Sequence, residues 1–213
     1  MTVNHLFSIP VGKYKLPNYQ QVRDKLLPIL EDDYHDADDK DRKANHWTCN
    51  SYQTWLWGNG QEELSDSLFP FVDDYLTQLK FAGFSYSIES WFNIYGKQQY
   101  QERHHHGGSL MSGMVVLNYD PEQHTSLRFF NPWTEYARVF EKFGCQANGI
   151  SFLDDTHALE MENGYAYIWP SSLNHIVPPQ PNTLRDLRIT FTFNVNPDYE
   201  WNNLDTGTKT TKA

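Results

Sequence analysis

Residues 91–119 read WFNIYGKQQYQERHHHGGSLMSGMVVLNY. Both ends of this stretch are rich in β-branched and aromatic residues, the composition of strands, and three consecutive histidines stand between them. The chain has only nine histidines in 213 residues, so a run of three far from either end asks what the rings bind.

Strand-like runs continue outward from this stretch. SYSIESWFNIY, SLMSGMVVLNY, SLRFFN, GYAYIWP and LRITFTFNVN are each bounded by Gly, Pro, Asn or Asp, and several alternate as a half-buried sheet requires. Upstream the character is helical. PNYQQVRDKLLPIL (17–30) sets Val22, Leu26, Leu27 and Leu30 on one stripe, with Pro28 expected to limit the helix. The acidic run at 31–41 reads as a solvated linker. Leu64, Leu68, Val72, Tyr75, Leu76 and Leu79 predict one amphipathic helix over 62–79. Helices followed by about eight short strands predict a mainly β fold, a double-sheet jelly roll (double-stranded β-helix) with helical support. The expected organisation is a single domain over 1–205. Its support covers about 1–84, its jelly-roll core about 85–197, and a flexible tail 206–213.

Composition narrows the function. The chain carries 7 Trp, 13 Tyr and 13 Phe, unlike a disordered segment. Its formal charge is −10, with no basic run, so general nucleic-acid binding is not expected. Cys49 and Cys145 form neither a CxxC nor a disulfide framework, which makes a reducing cytoplasm the expected compartment. No stretch has the length of a signal peptide or a membrane span. A homodimer is compatible with this composition.

On a strand, alternate side chains share a side, so His104 and His106 can converge while His105 points away. A distant third ligand is available in His175, within WPSSLNHIVPP. Taken singly, HHH is also what a surface loop can carry, and an isolated histidine is usually structural. Arg188, thirteen positions after His175, adds a cationic fork suited to a carboxylate. HxH, then a distant His, then an Arg on the next strand is hard to obtain by chance.

Over about residues 88–196 this order of motifs resembles the iron(II)- and 2-oxoglutarate-dependent oxygenases, specifically a group of such proteins from marine bacteria and phages. The resemblance lies in the 91–119 stretch, SLRFFNP, GYAYIWPSSLNHIVPP and LRITFTFN. It implies Fe(II) held by His104, His106 and His175, with 2-oxoglutarate as cosubstrate and O2 as oxidant. Arg188 would take the far carboxylate of the cosubstrate, with Thr190 two positions on, and Tyr95 and Asn93 beside it. Most of the superfamily has a carboxylate where this chain has His106, so the site departs from the usual two-His-one-carboxylate triad. A second register, His105-His106-Gly107 as HxG, would suit a halogenase. Hydroxylation of an unidentified small molecule or protein side chain is the expected reaction. The alternatives are a three-His cupin-type dioxygenase without cosubstrate and a non-enzymatic jelly-roll module, such as a phage structural or binding protein. Free histidines titrate near ~6.5 and carboxylates near ~4, so a three-His site is expected to lose iron affinity more steeply below about pH 6.5 than a relative with two histidines and an aspartate.

Two further groupings are weaker. Trp47, Trp55, Trp57 and Trp91 could line a substrate cleft with 45–60 as a lid, or could equally be core aromatics. Asp154, Asp155 and His157 read as a turn before a strand rather than as a second site.

Overall fold

The computed structural model describes residues 8–37, 49–81, 85–133 and 154–198. Eight strands, β4 to β11, form the jelly roll: β4 (Tyr86–Tyr95), β5 (Tyr100–His104), β6 (Met111–Asn118), β7 (Arg128–Phe130), β8 (Thr156–Ala158), β9 (Tyr165–Pro170), β10 (His175–Val177) and β11 (Arg188–Pro197). They divide between two antiparallel sheets. Three N-terminal strands extend these sheets: β1 (Gly12–Lys15), β2 (Cys49–Asn50) and β3 (Tyr52–Thr54). The major sheet runs β1-β9-β6-β11-β4-β3, and the minor sheet β2-β5-β10-β7-β8.

The major sheet is buried on both faces. On β11, Ile189, Phe191, Phe193 and Val195 point to one side, joined by Phe92 and Ile94 of β4 and Ala166 and Ile168 of β9. Against that side pack Leu26 and Leu30 of α1 (Tyr19–Asp36), Leu64 of α2 (Gln61–Asp66), and Val72, Tyr75 and Leu76 of α3 (Phe69–Gln78). The other side meets the minor sheet through Tyr95, Met114, Val116, Tyr167, Trp169, Leu127 and Phe129. The period of two along each strand therefore sends one set of side chains to the helices and the alternate set between the sheets. The second set carries the polar residues.

Two helical expectations need correction. Helix α1 runs through Pro28 to Asp36, so 31–36 belong to the helix and not to a linker. Pro28 removes one backbone donor. The stripe Leu26, Leu30 and Tyr34, buried at every fourth position, outweighs that loss. The single helix expected over 62–79 is two, α2 and α3. Pro70 lies in the first turn of α3, where a missing N–H is tolerated, and so it starts a helix and does not continue one. The 154–157 stretch behaves as expected, with a bend at Asp155 and strand β8 from Thr156. Trp47, Cys145 and the 206–213 tail lie outside the described residues.

Among the described residues, no helix is long and apolar enough to cross a membrane. The sheet packing has a testable pinch point at Gly113 on β6, paired with Phe193 of β11 and Ile168 of β9. A Cβ there would meet the Phe193 ring and come within 2.6 Å of the Tyr167 carbonyl oxygen. Gly113→Ala should lower stability by about 1–3 kcal/mol through overpacking, read as a shifted urea midpoint. An unchanged midpoint would contradict this packing.

Candidate active site

Antiparallel pairing of β5 with β10 sets His104 directly across from His175. Their ring centroids are 4.2 Å apart. His106 lies just past the end of β5, where its backbone N–H donates to the Ser171 carbonyl at 2.9 Å. Its ring is 5.2 Å from that of His104 and 5.4 Å from that of His175. The three rings can each offer one nitrogen to a common point, all within 4.8 Å of one another. His105 is exposed and stands outside this cluster, so the geometry follows the His104/His106 register and not HxG.

The tautomers suit a metal. The Nδ1 of His104 faces the Glu102 carbonyl at 2.6 Å, and the Nδ1 of His175 faces the Leu173 carbonyl at 2.9 Å. A carbonyl can only accept, so both Nδ1 atoms carry the proton and leave Nε2 as a free donor pair for a cation. Burial favours the neutral rings that coordination needs. It lowers the pKa of His104, and it pushes His106 down to about 4 with help from the neighbouring His104. His175 lies well below its ordinary value, through burial and then His104. These residues fit a divalent metal ion.

The opposite wall comes from the major sheet. The β4–β11 register stacks three cross-strand pairs along the inner face: Arg188 with Tyr95, Thr190 with Asn93, and Thr192 with Trp91. All six line the histidine cavity, with Gln101, Met114, Leu127, Trp169 and Val177. Arg188 has no exposed surface. Its guanidinium lies 4.8 Å from the centroid of the Tyr95 ring, and Nη2 meets the Met161 sulfur at 3.6 Å. Nε and Nη1 have no hydrogen-bond partner. Burial lowers its pKa, while Tyr95 and Tyr119 act in the other direction. Arginine nonetheless stays protonated at neutral pH. No Asp or Glu lines the cavity among the described residues, so a buried cation faces it without a counter-charge.

Every residue singled out as a ligand or cosubstrate contact therefore reaches one cavity: His104, His106, His175, Arg188, Thr190, Tyr95 and Asn93. Asn93 is tied on both sides, accepting from Gln53 at 3.0 Å and donating to Thr192 at 2.8 Å. Of the tryptophans, Trp91 lines the cavity and lies 6.3 Å from His106, nearly parallel to it. Trp55 and Trp57 are more than half exposed. Residues 45–48 of the expected lid lie outside the described residues, and 49–60 form β2, β3 and a turn. Sequence reasoning passed over Thr192, Gln101 and Trp169. Thr192 was within reach of simple alternation from Arg188, and Gln101 and Trp169 sit inside motifs already noted. A separate cavity of about 230 Å³ involves Arg103, Phe130 and Asn174. Each of these adjoins in sequence a residue that faces the histidine site, so by strand alternation it lies on the outer face of the minor sheet.

Comparison with known proteins agrees with this architecture. No curated protein matches the sequence. Among solved structures, a prolyl-4-hydroxylase from Pseudomonas putida superposes with a TM-score of 0.61 at 14% identity, covering 89% of this chain and 93% of its own. A viral collagen prolyl hydroxylase from Paramecium Bursaria Chlorella virus-1, solved with 2-oxoglutarate, gives 0.53 at 14% identity over 87% and 94%. A Trichoplax adhaerens prolyl hydroxylase bound to a hypoxia inducible factor peptide gives 0.56 at 10% identity over 87% and 83%. At such low identity these superpositions show the shared fold alone. Residues 89–194, which hold the three histidines and Arg188, match the family described as "Putative 2OG-Fe(II) oxygenase". Residues 89–194 thus form a domain of the 2OG-Fe(II) oxygenases, enzymes that use Fe(II), 2-oxoglutarate and O2.

Proposed function

We propose that the protein is a 2-oxoglutarate-dependent hydroxylase whose iron is held by three histidines, His104, His106 and His175. The observation that carries this reading is the buried cavity, lined by no carboxylate among the described residues, that joins those histidines to the Arg188 guanidinium, whose Nε and Nη1 have no hydrogen-bond partner. Bound iron supplies oxygen activation coupled to cosubstrate decarboxylation, so that one oxygen atom goes to a substrate C–H bond and the other to succinate. The chain's own residues bind, orient and exclude water. The glutamyl-102 and leucyl-173 carbonyls hold the two imidazoles in the tautomer that presents Nε2. Arg188 offers Nε and Nη1 to the far carboxylate of 2-oxoglutarate, a charge-assisted pair. Tyr95 stands on the same rung as Arg188, and Thr190 and Asn93 on the next rung of that face. Similarity in fold to prolyl hydroxylases supports hydroxylation as the outcome.

Membership of the oxygenase family weighs against a non-enzymatic module. The buried, unpaired Arg188 weighs against a cupin-type dioxygenase without cosubstrate, which would have no use for it.

Replacing His104, His106 or His175 by Ala should each abolish tight iron binding, measured as bound iron per chain, and His105→Ala should not. Full occupancy in His106→Ala would overturn the ligand set. Arg188→Ala should leave iron bound and weaken 2-oxoglutarate by about 2–4 kcal/mol, roughly 30- to 1000-fold by calorimetry. Unchanged affinity would remove Arg188 from the site.

Burial also bears on the acid sensitivity of the site. Ligating imidazoles must be neutral. Burial already keeps these rings neutral below ~6.5, so protons compete with iron at lower pH than free histidines would imply. The same shift bears on folding. With a folded pKa below the unfolded one, the unfolded chain takes up the proton first as pH falls. The stability His106 contributes is complete above ~6.5 and is lost towards about 4. The urea midpoint of metal-free protein should therefore drop less between pH 7 and pH 5 in His106→Gln than in wild type. Equal drops would mean that His106 charges freely in the folded state.

A further inference from the structure

Among the described residues, six buried side-chain nitrogen or oxygen atoms lack a hydrogen-bond partner, and four of them belong to residues lining this one cavity. Arg188 Nε and Nη1 are two. The others are the indole Nε1 atoms of Trp91 and Trp169. An indole N–H is a donor only, and a buried donor without an acceptor is unfavourable. The cavity wall offers it no carboxylate. Among its other polar groups, Tyr95 donates to Gln101 at 3.1 Å, and Asn93 is held by Gln53 and Thr192. The free histidine nitrogens are the ones a metal would take, and a ligand bound at that metal would bring the indoles an acceptor.

Both indoles stand at the metal end of the cavity. The Trp91 ring lies along His106, with an interplanar angle of 15°, and that of Trp169 stands at 72° to His175, 5.4 Å away. Trp91 is on the Thr192 rung, four residues along β11 from Arg188 and so about 13 Å away along the strand. The two approach from opposite flanks, because β4 and β9 are separated by β11 and β6, about 14 Å in all. A ligand anchored at Arg188 and reaching the histidines would end between them.

We propose that Trp91 and Trp169 are ligand-binding residues, whose indole N–H groups hydrogen-bond oxygens at the 2-oxo acid end of the bound cosubstrate. This rests on the cosubstrate reading above. The cavity then holds a dicarboxylate at both ends, by a charged fork at the far carboxylate and by two neutral donors beside the metal ligands. Neutral donors suit that end, where a second buried cation would repel the metal.

The test uses full-length protein loaded with Mn(II) in place of iron, so that no turnover occurs, and calorimetric binding of two probes. One probe is 2-oxoglutarate. The other is pyruvate, which keeps the 2-oxo acid end and lacks the far carboxylate. Trp91→Phe and Trp169→Phe keep an aromatic ring and remove the N–H. Each should weaken both probes by about tenfold, the loss expected for one hydrogen bond to a charged acceptor. Arg188→Met should weaken 2-oxoglutarate and spare pyruvate. If both Trp variants bind both probes as wild type does while Arg188→Met loses 2-oxoglutarate, the indole assignment is wrong and the cosubstrate reading stands. If Arg188→Met also binds 2-oxoglutarate normally, the underlying reading fails. Should Trp169→Phe not fold, β-(3-benzothienyl)alanine at position 169 replaces N–H by sulfur at constant ring size and carries the same comparison.

Discussion

A guanidinium with no exposed surface and, among the described residues, no acidic partner is the constraint on which this structure turns. Burying an unpaired charge costs several kcal/mol, and a fold can hold it only where the surrounding packing is strong enough to fix it. Arg188 is fixed at the start of the longest strand pairing among the described residues, ten residues of β11 against ten of β4. Its neighbours in sequence point the other way, into the apolar layer shared with α1, α2 and α3. The helical layer thus stabilises the same strand that carries the uncompensated charge. Stability and binding capacity are divided between its two faces.

The minor sheet contributes the complementary half. Its strands are short, and β5 and β10 meet in a register that sets His104 opposite His175. Backbone carbonyls two residues before each ring fix the tautomers, so the metal-facing nitrogens are defined by local chain geometry. In the proposed ligand set His106 stands where the superfamily usually has a carboxylate, in a cavity whose described lining holds no Asp or Glu. With iron and Arg188 both cationic, the dianionic cosubstrate would be the main counter-charge in the site. That gives the donor groups around it, charged and neutral, a common role.

Much of this was legible in the sequence for a physical reason. Strand alternation is a strict period of two, so His104 and His106 converging, and Arg188 and Thr190 sharing a face, followed from position alone. The long strands β4, β6, β9 and β11 announced themselves through β-branched and aromatic composition. The parts that were not legible depend on tertiary partners. GKYK, CN and YQT carry little strand signal and become β1, β2 and β3 by pairing at sheet edges. Pro28 reads as a helix stop, and only the packing of Leu26, Leu30 and Tyr34 against the sheet reveals that the helix continues. Trp169 looks like any core aromatic until its ring is seen 5.4 Å from that of His175 and its N–H is found without a partner.

The most direct measurement of the central claim is an anaerobic titration of the metal-free protein with Fe(II) and 2-oxoglutarate, followed by visible absorption. Chelation of iron by the 2-oxo acid within a three-imidazole site predicts a metal-to-ligand charge-transfer band that appears only when both are present and saturates at one of each per chain. Iron that binds stoichiometrically to the histidines, with no such band at saturating 2-oxoglutarate, would contradict the account.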